Sequence, residues 1–285
     1  MRKSDSLFLQ IRGLRYHVRH WPSVGAPKMV LLHGWMDVSA SFQFLVDALR
    51  RDWDVYAPDW RGYGLTDWGK ADCYWFPDYI ADLDLLLQHI DERPVNLVGH
   101  SLGGNVAAMY AGVRPARVAK LVNLEGFGMQ ATRPEQAPKR YARWLDELHE
   151  PSPLRAYASF AELADRLQQN NSRLSRDKAD FLARHWGREE AGGVVLRGDP
   201  AHKIVNPVLY RYEEVRACWQ QVVAQVLWVD AAGSETLKRL GLDAAQHAER
   251  RAAFRNLTYV TIQDAGHMLH HDQPAAVAAA IEDFL

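Results

Sequence analysis

Three short apolar runs, Lys28–Leu32, Val95–Val98 and Val118–Leu124, each end in a glycine-bearing turn, and this constrains the fold more than any other feature. A run this short and this continuously apolar suits a strand covered on both faces. Helical patterns follow the first two, with Phe42, Leu45, Val46 and Leu49 after one and the small-residue stretch Leu102–Ala111 after the other. Another helix, about Pro77–Ile90, carries Ile80, Leu83, Leu86, Leu87 and Ile90 at helical spacing. Strands alternating with helices predict an α/β fold, a mostly parallel central sheet with helices on both faces. Leu7–Ile11 and Arg15–Trp21 read as a hairpin about Arg12-Gly13, and Trp53–Asp59 as a further strand.

The regularity lapses from about Met129 to Arg216, where Tyr141–Leu148, Phe160–Gln168 and Lys178–Trp186 read as helices. It resumes with strands at Gln225–Val229 and Leu257–Ile262 and a closing helix from about Pro274. The expected organisation is one α/β core, residues 1–128 and 217–285, interrupted by a helical lid, residues 129–216. A formal net charge of −1 provides no basic surplus for phosphates, so neither nucleic acid nor an anionic membrane is an expected partner. Cys73 and Cys218 have no paired spacing, which argues against a disulfide framework or a zinc site. The first residues alternate apolar with polar and lack a secretory pattern, so the expected location is cytoplasmic. The expected partner is a small-molecule substrate, with homo-oligomer formation left open. No cofactor and no metal ion are expected.

Gly99-His100-Ser101-Leu102-Gly103 follows an apolar strand and opens a helix. A serine on so sharp a turn stands clear of the backbone, and the flanking glycines remove side chains that would clash there. Ser101 is therefore the candidate nucleophile, and the Leu102 N–H, at the start of the helix, is a donor for a developing oxyanion. Gly266-His267 follows the last strand, and His267 is the candidate base that takes the Ser101 proton and returns it to the leaving group.

Leu31-Leu32-His33-Gly34-Trp35, Pro58-Asp59-Trp60-Arg61-Gly62-Tyr63-Gly64, Gly99 to Gly104 and Gly266-His267 occur in that order. Together they resemble the α/β-hydrolase superfamily, most closely its serine hydrolase-like branch. Asp199-Pro200-Ala201-His202-Lys203 through Pro207-Val208-Leu209-Tyr210 is similar to that branch within the lid. The resemblance implies a second oxyanion donor after His33-Gly34, the Trp35 N–H. It also places the acid of most members in the loop after Gln225–Val229. Here that position falls near Ser234, with Asp230 too early and Glu235 beyond it. Some dehalogenases and lipases carry the acid after the preceding strand, where this chain has Glu125. Glu125 is the favoured acid, Asp230 the alternative and Glu235 a third choice.

The other candidates read as structural. Asp37 is expected to cap the helix that follows it, and Asp59 to brace the Trp60–Gly64 loop. His270 and His271 are expected at the surface or behind the site, and Arg133, Lys139, Arg140 and Arg143 on a solvated helix face. Trp35, Trp144 and Trp186 could line an apolar pocket under the lid. The resulting expectation is a serine esterase that cleaves a small, fairly apolar carboxylic ester or related acyl substrate through an acyl-enzyme. Two competitors are a cofactor-independent oxygenase of the same fold and a ligand-binding protein that retains the triad. Against the oxygenase, Met36-Asp37-Val38 lacks the additional histidine that such enzymes carry beside His-Gly-Trp.

Overall fold

The computed structural model describes residues 1–285. Strands β1 (Asp5–Ile11) and β2 (Leu14–Trp21) form the expected hairpin, and both turn residues have positive φ, Arg12 at 50° and Gly13 at 79°. That pair of angles matches the right-handed twist of the two strands. Next come β3 (Lys28–Leu32), α1 (Gln43–Ala48), β4 (Asp54–Pro58), α2 (Phe76–Ile90), β5 (Val95–His100), α3 (Leu102–Val113) and β6 (Val118–Leu124). The eight-stranded sheet has the order β1-β2-β4-β3-β5-β6-β10-β11, where β10 is Gln225–Ala231 and β11 is Leu257–Ile262. Only the β1–β2 and β2–β4 pairs are antiparallel. The C-terminal ends of the parallel strands thus share one edge, and β5 lies near the middle of it.

The period of two along each strand divides the core. Val30 and Leu32 of β3, Leu97 of β5, and Val226 and Trp228 of β10 pack on one face with α2, α3 and α7 (Tyr212–Gln220). Met29, Leu31, Val98, Leu227 and Val229 pack on the other with α1 and the C-terminal helix, Pro274–Phe284. Helix α3 needs its small residues. A β-carbon on Gly103 would lie 2.1 Å from the Leu32 carbonyl oxygen, and one on Gly112 would lie 1.8 Å from that of Cys218 in α7. No helix is long and apolar enough to cross a membrane.

Between β6 and α7 the chain forms α4 (Ala137–His149), β7 (Ala156–Tyr157), α5 (Phe160–Asn170), α6 (Arg176–Trp186), β8 (Gly187–Glu190) and β9 (Gly193–Leu196). The three helices fall where the sequence predicts them, but the insertion also holds a small antiparallel sheet of order β7-β9-β8. Its strands are two to four residues long, too short to show a period. Helix α7 runs from Tyr212 to Gln220, across the expected boundary at residue 217, and seats Trp219 in the core. Leu163, Leu167, Leu182 and Val194 of the insertion bury themselves around Phe44 of α1, which joins the two layers. Helix α4 differs from its neighbours, since none of its residues is buried. After α7 and β10 come α8 (Thr236–Arg239), α9 (Ala244–Ala252), β11, α10 (Leu269–Asp272) and α11 (Pro274–Phe284).

The Trp60–Gly64 loop is held to the sheet by a buried ion pair. Arg61 grips Asp82 of α2 with two hydrogen bonds, Nε–Oδ2 at 2.5 Å and Nη2–Oδ1 at 2.6 Å. The Tyr16 hydroxyl donates to Asp82 at 2.8 Å and accepts from the Arg61 N–H. Removing one partner leaves the other charge buried and uncompensated. Asp82→Asn is expected to destabilise the fold by about 3 kcal/mol in urea unfolding, and Arg61→Met combined with Asp82→Leu by clearly less.

Candidate active site

Ser101 sits between β5 and α3 with φ 52° and ψ −114°, a conformation that costs a non-glycine residue on the order of 1–3 kcal/mol. Its surroundings enforce that geometry. Its N–H donates to the Leu124 carbonyl at 2.9 Å, and its carbonyl accepts from Asn105 at 3.0 Å. A β-carbon on Gly99 would stand 2.4 Å from the Gly103 carbonyl oxygen, so both glycines of the motif are required by backbone on backbone. Leu102 is the first residue of α3, and its N–H has no acceptor within the helix.

The turn after β11 brings His267 to this serine across 166 residues of sequence, with Nε2 3.0 Å from Ser101 Oγ. Its Nδ1 lies 3.0 Å from Oε2 of Glu125. A carboxylate only accepts, so Nδ1 carries the ring proton and Nε2 presents its lone pair to the serine. Glu125 follows β6 with φ 57°, and its side chain is 1% exposed. The Ala231 N–H donates to Oε1 at 2.8 Å, and the Ser234 hydroxyl donates to Oε2. The acid is therefore buried but fully hydrogen-bonded, which is what makes a carboxylate tolerable there. Asn123 shapes the turn that carries it, accepting from the Gly126 N–H and donating to the Gly126 carbonyl, each at 2.9 Å.

Asp230 is not brought to His267. Strand alternation turns it to the Trp228 face, where it accepts from Trp228 Nε1 at 2.7 Å and from the Tyr259 hydroxyl at 3.0 Å, with His247 Nε2 3.1 Å away. Glu235 is exposed beside α8, 3.8 Å from Lys238. Ser234, at the position where most relatives are expected to hold the acid, supports Glu125 instead.

His33-Gly34-Trp35 is fixed by the loop that Arg61 anchors. His33 Nδ1 donates to the Gly34 carbonyl at 2.8 Å and Nε2 accepts from the Trp60 N–H at 2.9 Å, while Trp60 Nε1 donates to the His33 carbonyl at 3.0 Å. Burial lowers the His33 pKa to about 4, so the ring is neutral and keeps this pattern. The backbone N–H of Trp35 donates to nothing in the structure. It is thus free to meet an incoming oxygen, as is that of Leu102.

Behind His267 lies a file of buried histidines that the sequence does not reveal. His100, the residue before the nucleophile, donates from Nε2 to the His267 carbonyl at 2.8 Å. His270 stacks obliquely on His100 at 4.5 Å and His271 on His270 at 4.2 Å. His270 and His271 are fully buried, not at the surface, because α10 tucks beneath α1 and the site. With Asp37 they place potential metal-ligand atoms within 4.8 Å of one another. Ser41 Oγ hydrogen-bonds both imidazoles, while Asp37 Oδ2 and His270 Nδ1 are buried without a hydrogen-bond partner. Asp37 does not cap the following turn of helix. Its only bond there is to the adjacent Val38 N–H, and burial raises its pKa to about 7. Asp59 accepts instead from the Ser39 N–H at 2.6 Å and, as expected of a loop brace, from the Leu65 N–H at 2.9 Å. Burial opposes the Asp59 charge, but the hydrogen bond and charge of His17 outweigh it and hold the carboxyl below its usual range.

Two cavities meet at the Trp35 ring, which is 56% exposed. One, of about 380 Å³, opens over Ser101 and Leu102 and is walled by Tyr74, Trp75, Phe76, Phe127 and Leu240. The other, of about 530 Å³, lies on the His267 side with Asn170, Asn171, Arg173 and Trp186. Trp144 lines neither. His202 of the Asp199–Lys203 segment borders the first cavity, sandwiched between the Tyr63 and Tyr74 rings at 3.7 and 3.9 Å. Its carbonyl accepts from Trp35 Nε1 at 3.3 Å. Arg133 and Lys139 are solvated as expected, but Arg140 and Arg143 border the first cavity.

A family model described as the alpha/beta hydrolase fold matches residues 27–274, and the chain belongs to that family. The chain is 29% identical over 272 residues to a serine hydrolase-like protein of Danio rerio, covering 93% of this chain and 82% of that one. It is 25% identical over 312 residues to the AB hydrolase superfamily protein YfhM of Bacillus subtilis, covering 98% and 96%. In structure it is similar to the thioesterase domain from the curacin biosynthetic pathway, with a TM-score of 0.88, 22% identity and 99% coverage of both chains.

The buried histidines set an acid limit on the fold. Burial lowers the pKa of His33 to about 4 and of His202 and His271 to about 3, and pushes His100 and His270 well down. Below pH 6.5 the unfolded chain binds protons that these folded imidazoles refuse, so stability falls as pH drops from about 6.5 towards 4. Urea midpoints measured across that range should decline steeply, and His202→Phe, which keeps a ring between the tyrosines, should make the decline shallower.

Proposed function

We propose that the protein is a serine hydrolase that cleaves a small carboxylic ester or related acyl substrate through an acyl-enzyme. The observation that carries this reading is the continuous pair of 3.0 Å contacts from Ser101 through His267 to the buried Glu125. Ser101 Oγ attacks the carbonyl carbon as His267 Nε2 takes its proton, and Glu125 stabilises the imidazolium that forms. The carbonyl oxygen gains charge facing the Trp35 and Leu102 N–H groups, which are already oriented and need no reorganisation. His267 then protonates the leaving group as the carbon–oxygen bond breaks. Water, deprotonated by the same nitrogen, attacks the acyl-enzyme, releases the acid and restores Ser101.

Because His267 must reach the leaving group, the cavity on its side suits that group, and the apolar cavity beside Leu102 suits the acyl chain. Aromatic walls on that side favour a fairly apolar acyl portion.

A fluorophosphonate probe is expected to label Ser101 in the wild type and nothing in Ser101→Ala, and folded wild-type protein left unlabelled would overturn the reading. On p-nitrophenyl esters, Glu125→Gln should lower kcat by roughly 10³–10⁴-fold with the fold intact, whereas near-normal turnover would remove Glu125 from the site. Oxygen uptake undiminished in Ser101→Ala would indicate an oxygenase instead, and saturable ligand binding without turnover a binding protein.

A further inference from the structure

The cavity over Ser101 has an uneven charge distribution that neither the triad nor the oxyanion donors explain. Its only carboxylate is Glu125, which is buried and committed to His267. Its cations are Arg140 and Arg143 of α4 and Lys203 of the Asp199–Lys203 segment. Arg143 is paired with Glu147 at 2.6 Å. Arg140 and Lys203 have no ion-pair partner. Arg140 uses one N–H on the Asn206 carbonyl at 3.1 Å, and Lys203 donates to the Pro153 carbonyl at 2.8 Å. Both keep further donors unengaged. They come from separate elements of the insertion yet border the same space as the aromatic walls.

We infer that this cavity takes an acyl group whose far end carries a carboxylate, held by Arg140 and Lys203. The inference rests on the hydrolase reading for the position of the reacting carbonyl. The chemistry follows from the lining. The stem of such an acyl group lies against Trp75, Phe76 and Phe127, while its anionic end gains charge-assisted hydrogen bonds from a planar guanidinium and an ammonium group. Since α4 has no buried residue, an anion bridging Arg140 on α4 to Lys203 on the docked segment would also tie that helix down. The leaving group is excluded from this role, because it must face His267, on the other side of Trp35.

The direct comparison is p-nitrophenyl hydrogen adipate against its neutral methyl ester. Wild type should favour the free carboxylate by about tenfold or more in kcat/KM, mostly through KM, and added salt should shrink the ratio. Arg140→Gln with Lys203→Gln should bring the ratio close to one. Lys139→Gln, which removes a solvated cation of the same helix, should leave it in place. A wild type that prefers the neutral ester, a ratio that survives the double substitution, or an equal loss in Lys139→Gln would each overturn the inference. A preference for 3-acetoxybenzoate over phenyl acetate in place of the adipate effect would put the anion on the leaving group and overturn it as well.

Binding of adipate itself to Ser101→Ala, followed by calorimetry, does not depend on turnover. It should be saturable and weaken about tenfold on adding Arg140→Gln. Adipate binding of this kind without cleavage of any ester would sink the hydrolase reading and keep the anion site. Ester cleavage with no discrimination and no adipate binding would do the reverse.

Discussion

The close approach of α3 to the central strands is the constraint on which the rest of the molecule depends. Gly103 lies where any β-carbon would meet the Leu32 carbonyl, and Gly99 where one would meet that of Gly103. This contact joins β3, β5 and the helix in a single geometry, and the strained Ser101 conformation is its by-product. It also brings the end of β3 beside Ser101. A side chain at Gly34 would touch His100 and Ser101 themselves, so the turns after β3 and β5 are in contact as well as adjacent.

Two loops meet at the His267 imidazole. Glu125 reaches His267 from the end of β6, and the loop after β10 contributes the Ala231 N–H and the Ser234 hydroxyl to hold it. One loop brings the charge to the histidine and the other cradles that charge. Asp230 has a different task, since it satisfies the indole N–H of Trp228, which the core would otherwise bury unpaired, and also accepts from the exposed Tyr259.

Legibility in the sequence followed the range of the interaction. Strands β3, β5 and β6 announce themselves because their burial is written in consecutive apolar residues, and Ser101 because a tight turn demands glycine at fixed neighbours. His267 stands out by its glycine-marked turn after the last strand, and Glu125 only through the resemblance to members that carry an acid after this strand; the structure brings the two within 3.0 Å. The buried file of His100, His270 and His271 could not be named, because imidazoles carry no periodic signature and their partners lie far away in the chain. Asp59 takes over the role expected of Asp37 while keeping its own, for a similar reason: only the fold decides which carboxylate faces the Ser39 N–H. Strands β7 to β9 escaped because two to four residues hold too little pattern to read.

The two walls of the cavity over Ser101 are attached to the body in different ways. On one side His202 is riveted between Tyr63 and Tyr74 and linked through its carbonyl to Trp35, so this wall moves only if the catalytic loops move. On the other side α4 contributes no buried residue to any core. Its ties run through side chains, Arg140 to the Asn206 carbonyl and Glu147 to the Val205 N–H, so substitutions along its outer face disturb no core packing. One wall of the cavity is thus set by the core and the other by a helix that the core does not hold, so the outline of the cavity can shift on the α4 side while Ser101, His267 and Glu125 keep their places.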